Sequence, residues 1–252
     1  MFGHKPSENA RRIIEFLGCE CEYIPAGKSP QHIQNEYENL LAAVKREKYY
    51  PVIICVDDVL AETLGMFTDE LEPGETMGDR RRKIIGEASG SAEKWFSDRL
   101  AALRSNYDEN EWNSQVIGDI DPDDSGKNSR FSGFTDYSTG KAGEVILARI
   151  PVENPWEIFA WLPFGGWNEC PAPEEMVLIG RYWYDRYKAI PAVISHDVLE
   201  FAAMPVKDES AALGLALEQF AFCEDIVYQG TESVGKLAGM LMQSSVWYFW
   251  WD

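Results

Sequence analysis

The residues of this sequence that could take part in chemistry lie mainly in its last third. His196 and Asp197 are the one adjacent His–Asp pair, and the thiols Cys170 and Cys223 lie in the same stretch. A cysteine nucleophile needs an imidazole within hydrogen-bond reach and a third group that orients the ring. The candidate catalytic residues are therefore His196 as general base, Cys170 as nucleophile, and Asp225.

A structural interpretation of the same residues stays open. Adjacent side chains on a strand point to opposite faces, so Asp197 orients His196 only if the turn bends sharply. Otherwise Asp197 is a turn residue and His196 is an exposed imidazole in a loop. Cys170 precedes a proline in a loop, which favours partial exposure, whereas Cys223 ends an amphipathic helix and is expected in the core.

A second group of candidates combines polar and aromatic side chains in the C-terminal region. Buried carboxylates and amides are costly unless they are hydrogen-bonded. These residues therefore form either a structural network that holds the C-terminus or a polar pocket with aromatic walls. In the pocket interpretation, two tryptophans supply apolar walls and the polar residues orient a ligand. The candidates are Trp167, Asn168, Glu169, Asp225, Gln229 and Trp251.

One acidic segment resembles the start of a calcium-binding loop. Asp121, Asp123 and Ser125 occupy ligand positions 1, 3 and 5, and Gly126 occupies position 6. Position 12 is Ser132, however, where a bidentate glutamate belongs. A solvated loop is therefore favoured over a calcium site, and no metal is expected.

Three further motifs have both a functional and a structural interpretation. Cys19 and Cys21 lack a second ligand pair at zinc spacing, and their alternate strand positions place both thiols on one face, so core packing is favoured. The basic run 80–83 lies among acidic residues and is expected to be a solvated helix face. Asp57 and Asp58 follow a buried strand, where α/β proteins bind ligands, but helix capping explains them equally well.

The charge balance narrows the classes of partner. The chain has a formal net charge of −19, which argues against general binding to nucleic acid or anionic membranes because phosphate repels such a surface. A basic protein partner, a cation, or good solubility is compatible with this charge. No stretch approaches the ~18 apolar residues of a membrane span. Neither a dinucleotide-binding nor a phosphate-binding glycine loop occurs, so no cofactor is expected.

The thiols and the first residues suggest a compartment. Five cysteines form an odd, scattered set, which fits reduced thiols better than a disulfide framework. The segment 1–12 is polar and lacks the apolar region of a secretory signal. We therefore expect a cytoplasmic protein.

Helices and strands alternate along the chain, and this order predicts an α/β or α+β fold with a mixed β-sheet and helices packed on it. Residues 1–65 are predicted to form an N-terminal α/β region. Residues 66–142 are predicted to form a helix and an acidic, loop-rich connection. Residues 143–252 are predicted to form a C-terminal domain, which can pack with 1–65 as a single globule.

Local signals predict the ends of several elements. Asp79 can start a long helix that runs to about Arg104, and Thr231 can cap a later helix. The last residues, 246–251, combine high β-propensity with an alternating pattern. They are predicted to be the closing strand of the sheet, which would bury aromatic side chains at the C-terminus.

Five segments of the C-terminal region resemble a known family. Their order and spacing match those of the bacterial family catalogued as domain of unknown function 4253 across about 164–252. The N-terminal part, including YIPAGKS and YYPVIICVDD, resembles some longer members more loosely. The resemblance implies a soluble bacterial protein with no assigned activity, and it supplies no catalytic residues. The segments are FGGWNECP (164–171), RYWYDRY (181–187), ISHDVLEF (194–201), EQFAFCEDIVYQG (218–230) and VWYFWWD (246–252).

Two functional hypotheses from different classes follow. The first is a non-enzymatic binding or interaction module of bacterial cytoplasm, one version of which is an acidic protective partner of a basic toxin. The alternative is an enzyme or small-ligand-binding protein that uses a polar, aromatic-walled cleft within 164–252. Convergence of His196, Cys170 and Asp225 beside one cavity would favour the enzyme.

Overall fold

A computed structural model describes residues 5–123 and 125–252, and regular elements run through most of this length. The strands in the described residues are Glu20–Ile24 (β1), Tyr50–Cys55 (β2), Thr135–Asp136 (β3), Lys141–Ala142 (β4), Val145–Ile150 (β5), Ile190–Ile194 (β6), Val198–Ala202 (β7) and Val246–Trp250 (β8). The α-helices are Glu8–Leu17 (α1), Pro30–Glu47 (α2), Asp58–Asp69 (α3), Met77–Glu87 (α4), Ala92–Arg104 (α5), Glu109–Glu111 (α6), Ile158–Trp161 (α7), Pro173–Tyr187 (α8), Glu209–Phe222 (α9) and Val234–Leu241 (α10). The described residues also form two π-helical segments, Trp112–Ile117 and Ile226–Thr231, and a 3-10 turn, Pro155–Glu157.

Six of these strands form one mixed sheet in the order β1-β5-β2-β6-β7-β8, while β3 and β4 form a separate hairpin. Strands β2 and β6 run parallel, and the other neighbours in the sheet are antiparallel. The prediction of a mixed sheet with helices is confirmed, and so is the closing strand, which lies at one edge of the sheet as β8. None of the helices in the described ranges is long and apolar enough to cross a bilayer.

Strand β5 lies between β1 and β2, so a strand from the middle of the chain completes the sheet of the N-terminal region. Its side chains point alternately into two apolar clusters, one on each face. Ile146, Ala148 and Ile150 face one cluster, and Val145 and Leu147 face the other. This burial on both faces explains why the first four residues of β5, 145–148, form a continuous apolar run rather than an alternating pattern.

The aromatic side chains at the C-terminus divide between the two faces of the sheet. Trp247 and Phe249 of β8 are buried and contact the fully buried Trp183 of α8, with ring centroids 5.5 and 5.7 Å away. Trp183 also contacts Phe96, Phe201 and Phe222, so it lies at the centre of an aromatic core. The terminus therefore carries core side chains of the sheet rather than a free tail.

The predicted single helix from Asp79 to Arg104 is wrong, because the chain forms two helices, α4 and α5. Gly90 lies between them with a φ of 104°, which no α-helix accommodates. Ser91 then caps α5 by accepting a hydrogen bond from the backbone N–H of Lys94 at 3.1 Å. The first of the two helices starts earlier than predicted, with Asp79 in its first turn.

The predicted cap at Thr231 is also wrong. Ser233 caps α10 by accepting a hydrogen bond from the N–H of Lys236 at 3.2 Å. Thr231 instead ends the preceding π-helical segment, and its hydroxyl donates to the carbonyl of Ser233 at 3.1 Å. The helical periodicity was sufficient to predict α10, but it does not distinguish between two neighbouring hydroxyl side chains as the cap.

A buried carboxylate fastens the segment before β3 to the sheet. Glu200 of β7 is fully buried and accepts hydrogen bonds from the backbone N–H groups of Ser132 and Gly133, at 3.0 and 3.1 Å. The hydroxyl of Ser132 donates to the same carboxylate at 3.3 Å. Burial raises the pKa of Glu200 to about 7, although the two backbone donors act in the opposite direction.

This raised pKa predicts a pH-dependent stability. The folded protein holds the Glu200 proton while the unfolded chain loses it above its ordinary pKa of 4.5. The stabilisation is therefore present below pH 4.5 and is lost as the pH rises through about 7. We expect the free energy of unfolding to fall by roughly 3 kcal/mol relative to the Glu200→Gln variant over this interval, as measured by urea titrations. A constant difference between the two proteins from pH 4.5 to 7 would contradict the assignment.

Candidate functional site

The parallel pairing of β2 and β6 brings an aspartate and a histidine together at one edge of the sheet. Asp57 follows the end of β2, and His196 follows the end of β6. His196 Nδ1 lies 3.3 Å from Oδ2 of Asp57 and 3.6 Å from Oδ1 of Asp197. The C-terminal ends of parallel strands are the usual ligand-binding edge of α/β sheets.

Asp57 has two roles, one for each oxygen. Oδ1 accepts a hydrogen bond from the backbone N–H of Leu60 at 2.7 Å and so caps α3. Oδ2 faces the imidazole, and both Oδ2 and Nδ1 of His196 are inaccessible to solvent. Neither of these two atoms has a hydrogen-bond partner among the described residues, and they face each other across a close contact of 3.3 Å. Helix capping and ligand-site geometry, the two predicted explanations of Asp57, are therefore both present.

The carboxylates near Nδ1 influence which ring nitrogen of His196 carries the proton in the neutral imidazole. In a neutral imidazole, a carboxylate beside Nδ1 favours the tautomer with the proton on that nitrogen. Nε2 is then a hydrogen-bond acceptor, and it has no partner within the described parts of the chain. The side chain of His196 is 38% exposed while its Nδ1 is inaccessible to solvent, so a ligand can reach the ring from the side away from Asp57.

A cavity of about 260 Å³ lies beside His196. Its walls come from the start of α3, from the segment before α8, and from His196 itself. Most of the lining is apolar, and the hydroxyl of Thr63 donates to the carbonyl of Val59 at 2.9 Å. The imidazole is therefore the principal polar group that a ligand meets. The lining residues are Val59, Leu60, Thr63, Pro163, Phe164, Gly165, Trp167 and His196.

The loop that presents Trp167 has an unusual backbone. Gly165, Gly166, Asn168 and Glu169 all have positive φ, at 95°, 81°, 42° and 61°. The N–H of Gly166 donates to two carbonyls at the far end of the loop, at 3.0 and 3.1 Å, which closes the loop on itself. Non-glycine residues in this conformation cost of order 1–3 kcal/mol each and are concentrated at functional sites.

Contacts outside the loop hold its strained residues. Arg99 of α5 forms an ion pair with Glu169 at 2.9 Å and donates to its backbone carbonyl at 3.0 Å. The amide of Asn168 donates to the carbonyl of Asp252 at 3.0 Å. Of the predicted ligand-binding residues, Asn168 and Glu169 thus hold the loop, and only Trp167 lines the cavity.

The other predicted polar residues surround the C-terminus. Asp225 accepts hydrogen bonds from the backbone N–H of Asp252 at 3.3 Å and from the amide of Gln229 at 3.0 Å. Trp251 is buried behind Phe164, with ring centroids 5.5 Å apart, so it supports the wall of the cavity without lining it. This arrangement is the structural network that the sequence allowed as an alternative to a pocket.

Trp251 also holds the turn that carries His196. The backbone N–H of Trp251 donates to the carbonyl of Asp197 at 3.1 Å. The hydroxyl of Ser195 donates to the carboxylate of Asp197 at 2.7 Å, which gives the turn the sharp bend that Asp197 needs to reach His196. Trp251 and Asp252 therefore connect the turn that carries His196 with the loop that carries Trp167.

The predicted partial exposure of Cys170 is wrong. Its side chain is 4% exposed because the loop folds over it, and burial raises the pKa of its thiol. Cys223 is also buried, donates to the carbonyl of Trp250 at 2.9 Å, and has its pKa raised by burial to about 12. A thiol of raised pKa is a poor nucleophile at neutral pH. His196, Cys170 and Asp225 share no hydrogen bond in the described structure, so they do not form a triad.

The calcium-loop candidates make contacts with one another. Asp121 accepts a hydrogen bond from the N–H of Asp123 at 3.0 Å, and the hydroxyl of Ser125 donates to the carbonyl of Asp121. Ser132, at the last ligand position, is bonded to Glu200. The neighbouring Asp124, part of the predicted loop, lies outside the described residues. Those that are described include no group of three or more His, Cys, Asp or Glu side chains placed to hold a metal.

A larger cavity, of about 650 Å³, lies on the other side of β8. Tyr248 and Trp250, the strand side chains that point away from the aromatic core, line it together with the π-helical segment and α10. Its charged lining residues Glu232 and Lys236 form an ion pair with each other. The smaller cavity at His196 has the more specific polar arrangement, and we treat it as the candidate site.

The fold and this cavity define an α/β protein with a ligand-sized pocket at the ends of two parallel strands. Residues 146–252 match the model of the family described as Domain of unknown function (DUF4253). No match was found among curated proteins or among solved structures. The matched region begins inside β5, so the pocket combines His196 and Trp167 from the family region with Asp57 and α3 from the preceding part of the chain.

The pairing of Asp57 with His196 is the feature that sequence reasoning missed. The sequence offers both residues as separate candidates, and in the structure each lies two positions after the end of its strand. The signal that could have joined them is this shared position, because neighbouring parallel strands bring their C-terminal ends together. Which strands are neighbours cannot be read from local patterns.

The loop geometry predicts different effects for its two glycines. A side chain at Gly166 meets open space, so Gly166→Ala should cost only the left-handed backbone penalty of about 1–2 kcal/mol. A Cβ at Gly165 would collide with the carbonyl oxygen of Pro171, so Gly165→Ala should cost more than about 3 kcal/mol. Denaturant titrations of the two variants measure this difference. Equal costs would show that the loop is not closed as described.

Proposed function

We propose that the protein binds a small, planar ligand in the pocket between Trp167 and His196. The observation that carries the proposal is the 3.3 Å approach of Asp57 to His196 Nδ1, which leaves Nε2 as an acceptor beside an otherwise apolar cavity. Trp167 and Phe164 offer flat apolar surfaces for a ring. The ligand class is therefore an aromatic or heteroaromatic ring that carries one O–H or N–H donor.

The size of the cavity limits the ligand to roughly one ring system. An apolar cavity of about 150 Å³ is large enough for benzene, and this one measures about 260 Å³. Larger drug-like ligands occupy pockets of about 300–1,000 Å³. A substituted single ring fits the cavity, and a dinucleotide or a peptide does not.

Non-covalent binding is supported over nucleophilic catalysis by the hydroxyls near the pocket. The hydroxyl of Thr63 donates to a helix carbonyl, and that of Ser195 donates to Asp197 while accepting from the N–H of Val198 at 2.8 Å. A nucleophilic hydroxyl would donate its hydrogen bond to the imidazole of His196, and neither of these two hydroxyls does so. The five free thiols also support a reducing, cytoplasmic setting for this function.

The test uses 4-fluorophenol as a probe and follows its ¹⁹F NMR signal. We expect binding to the wild-type protein, and about tenfold weaker binding to His196→Ala, because one hydrogen bond is worth about 1 kcal/mol or somewhat more. Trp167→Ala should weaken binding through loss of the apolar wall. Trp250→Ala, which alters the other cavity, is the matched control and should leave binding unchanged.

A second probe separates the polar contact from simple apolar burial. In 4-fluoroanisole the donor hydrogen is replaced by a methyl group, so its binding should be weak and insensitive to His196→Ala. Equal affinity for both probes, or no binding of either, would contradict the proposed role of the histidine. Turnover of a hydroxylated probe that depends on His196 would instead support the enzymatic alternative.

The net charge of −19 supports a second proposal, binding of a basic protein. Opposite charge accelerates association and makes it dependent on salt. We expect one basic protein to co-purify at low ionic strength and to dissociate at high ionic strength. The control is an unrelated protein of similar net charge. Retention of the same partner by that control, or no basic partner at all, would count against a specific interaction.

A further inference from the structure

Two thiols outside the pocket lie unusually close together. Cys19 and Cys21 flank the first residue of β1, an edge strand of the sheet, and their Sγ atoms are 4.0 Å apart. Both side chains are half-buried, whereas Cys170 and Cys223 are fully buried. Alternate positions on a strand share a face, so the expected common orientation is present, but the thiols remain within reach of solvent.

A guanidinium group lies beside these thiols. Arg81 of α4 donates to the carbonyls of Phe16 and Leu17 at 3.0 and 3.3 Å, and its guanidinium lies 3.6 Å from the ring centroid of Trp161. The predicted solvated face is therefore wrong at Arg81. Its Nε atom is buried and has no hydrogen-bond partner in the described ranges, and none of the ion pairs found there joins Arg81 to a carboxylate.

The surroundings change the pKa values of the two thiols in opposite directions. The contact with Cys21 lowers the pKa of Cys19, burial opposes this, and the positive charge of Arg81 lowers it further. The pKa of Cys21 is raised by the contact with Cys19 and by burial. Because the charge of Arg81 acts on Cys19, Cys19 is the member of the pair that forms a thiolate more readily, and Cys21 can then donate a hydrogen bond to that thiolate.

The spacing of the pair allows a bond between the two sulfur atoms. Cys19 lies in the bend that precedes β1, and Cys21 is the second residue of the strand, so the roughly 6.6 Å between alternate Cα atoms of a strand does not fix their separation. Disulfides span Cα distances of about 4.4–6.8 Å. A small movement of the bend at Cys19, together with rotation of both side chains, can therefore bring the sulfurs together while β1 stays paired with β5. A bond near the upper end of this range is readily reduced again.

We propose that Cys19 and Cys21 form a redox-active dithiol that exchanges with low-molecular-weight disulfides. The Cys19 thiolate attacks one sulfur of the disulfide, forms a mixed disulfide, and releases one thiolate. Cys21 then gives up its proton and attacks the Cys19 sulfur, which releases the second thiolate. The protein loses two hydrogens, and the small disulfide is reduced to two thiols. This chemistry is independent of the His196 pocket.

The test exposes the full-length protein to mixtures of oxidised and reduced glutathione, with acid quenching and alkylation before mass spectrometry. A single tryptic peptide, residues 13–28, contains both cysteines. We expect this peptide to lose two hydrogens in the wild-type protein under oxidising mixtures. Cys55, Cys170 and Cys223, on other peptides, are the internal controls and should remain thiols.

Two cysteine variants distinguish the roles of the thiols. Cys21→Ser removes the resolving thiol, so glutathione should accumulate on Cys19 as a mixed disulfide. Cys19→Ser should react far less, because Cys21 lacks an activated thiolate. A wild-type peptide that stays in the dithiol form under strongly oxidising mixtures would overturn the proposal. Equal glutathione adducts on the two variants would overturn the assigned roles.

Arg81 can be tested separately through the pH dependence of Cys19 alkylation by iodoacetamide. In the Cys21→Ser background, Arg81→Gln should shift this profile to higher pH and slow alkylation at neutral pH about tenfold, equivalent to one pKa unit. Arg81→Lys should retain most of the rate. Arg80→Gln, on the same helix but paired with Glu75, is the matched control and should leave the profile unchanged. Identical profiles for all these variants would exclude an electrostatic role of Arg81.

Discussion

The parallel contact between β2 and β6 is the interaction on which the rest of the structure depends. Only two residue pairs in the described register, Ile53 with Val193 and Ile54 with Ile194, join the antiparallel group β1-β5-β2 to the antiparallel group β6-β7-β8. All four side chains are fully buried, so apolar burial on both faces compensates for the short ladder. A slip of two residues along this contact would move Asp57 roughly 6.6 Å away from His196 and dismantle the site. Fold and site therefore depend on the same few hydrogen bonds.

The pocket also depends on the end of the chain, through contacts that a list of lining residues does not reveal. Trp251 holds the turn that carries His196, and Asp252 holds the loop that carries Trp167. The strained backbone of that loop is stable because these contacts, together with Arg99, over-determine it. Asn168 and Glu169, which the sequence suggests as ligand-binding residues, thus hold the loop in place. They help to fix the distance between the aromatic wall at Trp167 and the imidazole of His196.

Local patterns in the sequence were sufficient for most elements of the C-terminal region, including β8, whose alternation of buried and half-buried aromatics is the signature of a strand. These patterns did not predict the break between α4 and α5, which depends on the backbone angle of Gly90. They also did not predict that Ser233 rather than Thr231 caps α10. They also could not supply the order of strands, because hydrophobic periodicity shows which face of a strand is buried but not which strand lies next to it. The contact between Asp57 and His196 could not be predicted for this reason, because it depends on β2 and β6 being neighbours.

The position of β5 has a consequence for the way the chain becomes folded. Strands β1 and β2 are made early in synthesis, but each uses β5 as its antiparallel partner, and β5 emerges from the ribosome much later. Until then both strands expose unpaired backbone edges, which are templates for association with other chains. Closing such a sheet requires contacts between residues far apart in sequence, a topology that folds slowly. The nascent N-terminal region is therefore expected to depend on chaperone protection until β5, which lies between β1 and β2, has been translated.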